Sequence, residues 1–166
     1  MTNRRYHILF LCTGNSARSI MAEALANHPA VGAGRFQAYS AGSQPKSEPH
    51  PLALETLQQH GIATDGLHSK SWDVFAQADA PALDFIFTVC DSAAGEQCPF
   101  WPGQPMTAHW GVQDPPAAGD EAAQRKAFKD AFLTLKRRIE LFAALPIEKL
   151  DALVLTENLR RIGQTD

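Results

Sequence analysis

The chain has 166 residues, 15 Lys and Arg against 18 Asp and Glu, a net charge of -3 and a hydrophobic fraction of 45%. That length and composition predict one globular domain burying about two-thirds of its unfolded surface. The acidic balance, with no basic run interleaved by aromatics, argues against a nucleic-acid partner. Arg4 and Arg5 precede an apolar run too short for a signal peptide or a membrane span, so the expectation is a cytoplasmic chain whose three cysteines are reactive rather than structural.

The first element is the apolar run Ile8 to Leu11, which has the length and composition of a buried parallel strand. It opens directly into Cys12-Thr13-Gly14-Asn15-Ser16-Ala17-Arg18-Ser19. Behind this loop Ala17, Ile20, Met21, Ala24 and Leu25 follow the pattern of a helix with one apolar face, ending near His28-Pro29. A strand-to-helix turn built from Thr13, Gly14, Asn15, Ser16 and Ala17 lets backbone amides converge, and the helix start adds about half an elementary charge. Such a turn is an anion cradle. Arg18 can lay its planar guanidinium over the same point and hold two oxygens of a tetrahedral anion. In that field Cys12 is expected to be a thiolate and a nucleophile. Ser19 can donate a hydrogen bond to its sulfur, and Asn15 suits a left-handed turn position. A core cysteine and a surface arginine could share this spacing, but the strand before, the helix after and Ser19 beside Arg18 favour the chemistry.

Further along, Arg35 to Ser40 alternates as a second strand, and Ser43 to Pro51 reads as a surface loop. Pro51 can open a helix through Leu54 and Leu57 to a stop at Gly61. Ser71 to Phe75 predicts a short helix. His50 and His60 lack partners at metal-ligand spacing and read as surface or capping residues, so no metal site is expected. Asp84 to Val89 is an apolar, central strand ending at Cys90, and Met106 to Trp110 is the fourth strand. Asp120 is placed to cap the longest helix, whose apolar face carries Phe128, Phe132, Leu135, Ile139 and Phe142. From Pro146 to the end, Ile147, Leu150, Leu153 and Val154 suggest a short helical extension. Strands alternating with helices predict an α/β fold: a single three-layer domain over residues 1–166 with a central four-stranded parallel sheet and right-handed crossovers.

In such a sheet ligands bind outside the carboxyl ends of the strands. Cys12, Cys90 and Asp114 each follow shortly after a predicted strand, so all three belong at one edge. An aspartate facing the cradle can protonate a departing oxygen, the general acid that a nucleophilic Cys12 requires. Asp-Pro is also common in turns, and it is the cradle beside it that favours the acid.

The segment Cys12 to Ser19 resembles the phosphate-binding loop of low-molecular-weight protein tyrosine phosphatases, and Asp114-Pro115 resembles that family's general-acid motif. The family motif usually continues into tyrosines, whereas this chain continues Pro116-Ala117-Ala118. That departure weakens the case for an aryl phosphate substrate. Cys90 and Cys98, with Trp101-Pro102-Gly103 and His109-Trp110-Gly111, resemble more closely the bacterial arsenate reductases of the phosphatase-like fold.

The resemblance implies a reaction in which Cys12 attacks arsenate, Cys90 attacks Cys12 to expel arsenite, and Cys98 takes over the disulfide for an external reductant. Thioredoxin is the expected reductant, with a glutaredoxin and small thiol as the alternative that makes Cys98 a bystander. Each thiol pair must approach within about 7 Å between Cα atoms, so the stretch Ser92 to Pro102, hinged at Gly95, is expected to rearrange on oxidation. No cofactor is required by this scheme, although Glu23, Asn15 and Ser40 could favour a monovalent cation near the loop, as in some similar reductases. A monomer is expected. The rival readings are a phosphatase, in which water resolves the Cys12 adduct, a phosphocarrier, and a thiol-based arsenite-binding protein, which gives Arg18 and Asp114 no role.

Overall fold

Tyr6–Leu11 forms strand β1, and its four apolar residues from Ile8 onward are all but fully buried because helices or turns cover both faces of the sheet. The computed structural model describes residues 5–89, 105–112, 115 and 119–164. Strand β1 pairs in parallel with β2 (Phe36–Ala41) on one side and β3 (Phe85–Thr88) on the other, and β4 (Met106–His109) pairs in parallel with β3. The order is β2-β1-β3-β4, the four-stranded parallel sheet expected.

Side chains alternate across a strand, so β1 feeds two cores. Ile8 and Phe10 join the larger one, against helices α1 (Arg18–Asn27), α3 (Pro51–Gln59), α4 (Glu121–Ala143) and α5 (Ala152–Gly163). Leu9 and Leu11 join Ala41, Phe75, Leu83 and Ile86 on the other face, beneath the short 3-10 turn Trp72–Ala76. Asp120 caps α4 by accepting from the amide of Ala123 at 2.8 Å. All five apolar residues assigned to the inner face of α4 are buried. Phe142 stacks on Phe36 and meets Phe85, Phe87 and Trp110 edge-on, locking the end of α4 to the sheet.

The first helix ends at Asn27 with His28 as its C-cap, at the stop expected near His28-Pro29, and His28 then caps a separate short helix, α2 (Pro29–Gly32), by accepting from the amide of Ala30. The C-terminal stripe needs correction. Ile147 is buried in its own 3-10 turn, Asp151 caps α5, and the buried residues are Leu155, Leu159 and Ile162, while Leu153 is 76% exposed. A stripe drawn from Ile147 to Val154 crosses the break at Leu150 and loses its phase there. Helix α5 packs on the sheet: the carbonyl of Leu159 accepts from Trp110 Nε1 at 3.0 Å. Among the described residues no helix is long and apolar enough to cross a membrane.

Candidate active site

The register sets Leu11 level with Ala41 and with Thr88, and Thr88 level with His109, so the chain leaves all four strands at one edge. Cys12 stands there as a buried thiol at the end of β1, and Thr13 to Ala17 carry the turn into α1.

The turn is held from outside. The carbonyl of Thr13 accepts from the amide of Gln44, that of Gly14 from Lys46, and that of Ser16 from His50, at 2.8 to 3.0 Å. The carbonyl of Asn15 accepts from Ser69 Oγ at 2.6 Å. Across a trans peptide plane the N–H of one residue points opposite to the C=O of the residue before it, and no described peptide bond is cis. With four successive carbonyls tied outward, the amides of Gly14, Asn15, Ser16 and Ala17 face the hollow of the loop. Ala17, at the start of α1, supplies no capping side chain, so the helix presents its positive end to that same hollow.

Asn15 takes the left-handed conformation expected of it, at φ 45°. A non-glycine residue persists there only where its surroundings overdetermine it. Its Nδ2 donates to Ser19 Oγ at 2.9 Å and its Oδ1 accepts from the amide of Lys70 at 2.8 Å. Ser19 is fully buried in α1 and, accepting from Asn15, keeps its own hydroxyl proton to donate.

Arg18 is the first residue of α1, and its Nη1 donates to the carbonyl of Val112 at 2.9 Å. That contact closes a ring. The amide of Val112 donates to the carbonyl of Val89, and the amide of Val89 donates to the carbonyl of Leu11, the residue before Cys12. Val89 immediately precedes Cys90, and Val112 lies two positions before Asp114. Cys90, Cys98 and Asp114 themselves lie outside the described residues, as does the Ser92 to Pro102 stretch with Gly95, the hinge candidate.

Sequence reading missed the supports. Gly42 is one: a Cβ there would stand 2.5 Å or less from the carbonyl oxygens of Cys12 and Thr13, so only glycine lets the loop lie on the end of β2. The glycine just past a strand was the available signal. Ser43 to Pro51 is the surface loop expected, and its main chain is also the buttress of the cradle. Lys70 is a third: its ammonium donates to the carbonyls of Ser40 and His68, both at 2.9 Å, and stands 3.9 Å from Glu23 Oε1. Ser40 Oγ donates to the same Oε1 at 2.5 Å. Burial pushes the Glu23 carboxyl up, against the Ser40 hydroxyl and the charges of Lys70 and His68, and it pushes the Lys70 ammonium down, against Glu23. Of the two histidines, His50 caps α3 and His60 bonds the carbonyl of Thr56, as expected of capping residues.

A parallel α/β sheet that ends its first strand in a cysteine, an amide-lined hollow and an arginine defines a phosphatase-like oxyanion-binding protein. The chain belongs to the low molecular weight phosphotyrosine protein phosphatase family, whose profile matches residues 7–153. It is 33% identical over 137 residues to an arsenate reductase of Shouchella clausii, a match covering 82% of this chain and 94% of the relative. Among solved structures it is similar to an arsenate reductase in the phosphate binding state, with 28% identity, a TM-score of 0.67 and coverage of 84% of this chain and 97% of the other. It is also similar to a thioredoxin-dependent arsenate reductase of Corynebacterium glutamicum, with 25% identity, a TM-score of 0.62 and coverage of 90% and 66% respectively.

Proposed function

We propose that the protein is an arsenate reductase whose oxidised form is recycled by a dithiol partner of the thioredoxin class. The observation that carries the reading is the hollow of four inward amides between Cys12 and Arg18, a receptor for a tetrahedral oxyanion. The named relatives support arsenate as that oxyanion, and the Corynebacterium relative supports the reductant.

The Cys12 thiolate forms a bond to arsenic(V) while Asp114 protonates the departing oxygen, which leaves as water; Arg18 and the loop amides hold the remaining oxygens. Ser19 stabilises the thiolate through its hydroxyl proton. The Cys90 thiolate then attacks the Cys12 sulfur, the electron pair of the sulfur–arsenic bond passes to arsenic, and arsenite departs. The product is a disulfide between Cys12 and Cys90. Cys98 attacks Cys90, returning Cys12 as a thiolate, and the external dithiol reduces the resulting Cys90–Cys98 disulfide.

The test is arsenate-dependent NADPH oxidation with thioredoxin and thioredoxin reductase, beside hydrolysis of an aryl phosphate, on the wild type and on Cys12→Ser, Cys90→Ser and Cys98→Ser. We expect Cys12→Ser to abolish both reactions and Cys90→Ser to abolish only reduction. Cys98→Ser should lose turnover with thioredoxin. No arsenate-dependent oxidation with either thioredoxin or glutaredoxin, alongside normal hydrolysis by Cys90→Ser, would make the chain a phosphatase instead.

A further inference from the structure

A free monovalent cation beside the loop would draw on oxygens of Glu23, Asn15 and Ser40, and all three residues are already engaged within the chain. Asn15 Oδ1 accepts from the amide of Lys70, and the Ser40 hydroxyl directs its proton at Glu23. The cation beside Glu23 is the chain's own: the Lys70 ammonium, 3.9 Å from Oε1 and bonded to two main-chain carbonyls. An ammonium and a potassium ion have similar size and equal charge, so they compete for the same oxygens.

We propose that Lys70 is a positioning residue of the anion loop, its ammonium serving as the tethered cation that Glu23 requires, so that oxyanion binding is independent of any free monovalent cation. Two physical links connect the ammonium to the loop. The first is mechanical. Lys70 and its neighbour Ser69 hold Asn15 at two points, the Lys70 amide on Oδ1 and the Ser69 hydroxyl on the carbonyl, and the Lys70 ammonium ties this segment to α1 through Glu23. Asn15 in turn keeps its left-handed φ and its grip on Ser19. The second is electrostatic. The side chains of Glu23 and Lys70 are only 16% and 15% exposed, so removing the ammonium leaves a poorly solvated carboxylate near a site that must receive an anion. The directions in which burial pushes the two groups agree with this, each charge countering the other's desolvation.

The proposal rests on the oxyanion reading of the loop and not on arsenate chemistry, so inorganic phosphate is the probe. Its binding would be measured by calorimetry at one ionic strength in potassium chloride and in choline chloride, for the wild type, Lys70→Met and Glu23→Gln/Lys70→Met. The wild-type affinity should agree within about twofold between the salts. Lys70→Met should bind about tenfold or more weakly in choline chloride and recover in potassium chloride, as expected when an uncompensated buried charge acquires a free counter-ion. The double variant, with no carboxylate to neutralise, should fold, bind better than Lys70→Met in choline chloride and ignore the salt. Wild-type binding that tightens several-fold in potassium chloride overturns the proposal, as does Lys70→Met binding like the wild type in choline chloride. Should Lys70→Met not fold, the wild-type pair and the double variant decide, and a double variant that is salt-dependent or unfolded overturns it too. Absence of phosphate binding by the wild type in both salts would remove the oxyanion reading and this proposal with it, whereas phosphate binding without arsenate reduction would remove only the reductase reading.

Discussion

Arg18 donates from Nη1 to the main-chain carbonyl of Val112 across 94 positions of sequence. The guanidinium proposed to grip the oxyanion is thereby joined to the strand exit that leads on to Asp114. Guanidinium donors form a planar fork, so in the proposed reaction one side chain can bond both an oxyanion and the main chain of the segment bearing the inferred acid.

Arg18→Ala should therefore lower kcat/KM for arsenate by about 10²–10³, the usual cost of removing one donor from an oxyanion site. Arg18→Lys keeps the charge but not the planar fork and should recover only part of that loss. Steady-state kinetics in the coupled thioredoxin assay check this, and a value for Arg18→Ala within threefold of the wild type would place the guanidinium outside the chemistry.

Two glycines give a paired experiment. Gly42→Ala puts a Cβ 2.4 Å from the carbonyl oxygen of Thr13, displacing the loop. It should lower kcat by up to about 10²-fold, because a shift of ~1 Å in a reacting group costs that much. Gly34→Ala meets nothing within 4 Å but sits at φ +73°, so it should cost roughly 1–2 kcal/mol of stability and leave kcat unchanged. Urea unfolding and turnover measured on both variants separate the two effects.

Glu23 makes stability depend on pH in a direction opposite to most carboxylates. Its carboxyl is raised by burial, so the folded chain binds this proton more tightly than the unfolded one. The contribution is fully present below the ordinary carboxylate range and is lost as pH rises through the raised value. Relative to Glu23→Gln, the wild type should lose unfolding free energy on going from acid toward neutral pH. Parallel pH profiles of urea stability for the two proteins would contradict the assignment.

Arg138 is a buried cation on the otherwise apolar face of α4, and its Nη1 donates to the carbonyls of Trp110 and Gly111 at 2.9 and 3.1 Å. Replacing it by methionine should destabilise the fold by about 2–3 kcal/mol, the scale of hydrogen bonds from a charged donor whose acceptors are then left buried. Chemical denaturation measures this directly. A loss under 0.5 kcal/mol would mean that water or a rearranged backbone satisfies both carbonyls.

What was legible in the sequence follows from what is local. Ile8 to Leu11 announces a buried strand, the small residues after it announce a turn, and Phe128 through Phe142 announce a helix face, because each pattern repeats within one element. Arg138 escaped notice because its partners come from another element. Lys70 did so because a lysine between two serines has no periodicity to reveal that its side chain is half-buried. Leu153 and Val154 misled because apolar residues on both sides of a helix start can be joined into a stripe that the backbone does not follow. The strand, turn and helix that carry Cys12 to Ser19 were readable, but Gly42, Ser69 and the buttress that holds the turn were not.

That buttress has a consequence for how the protein tolerates change. Three of the four ties on the loop run from main-chain amides at Gln44, Lys46 and His50, which no side-chain replacement other than proline removes. Prolines do occupy this stretch, at 45, 49 and 51, but always beside a donor and never at one, and each biases the residue before it toward an extended conformation. The side chains of the buttress can therefore drift, and with them the rim of the pocket that a substrate or a protein partner meets, while the aim of the amides stays constant.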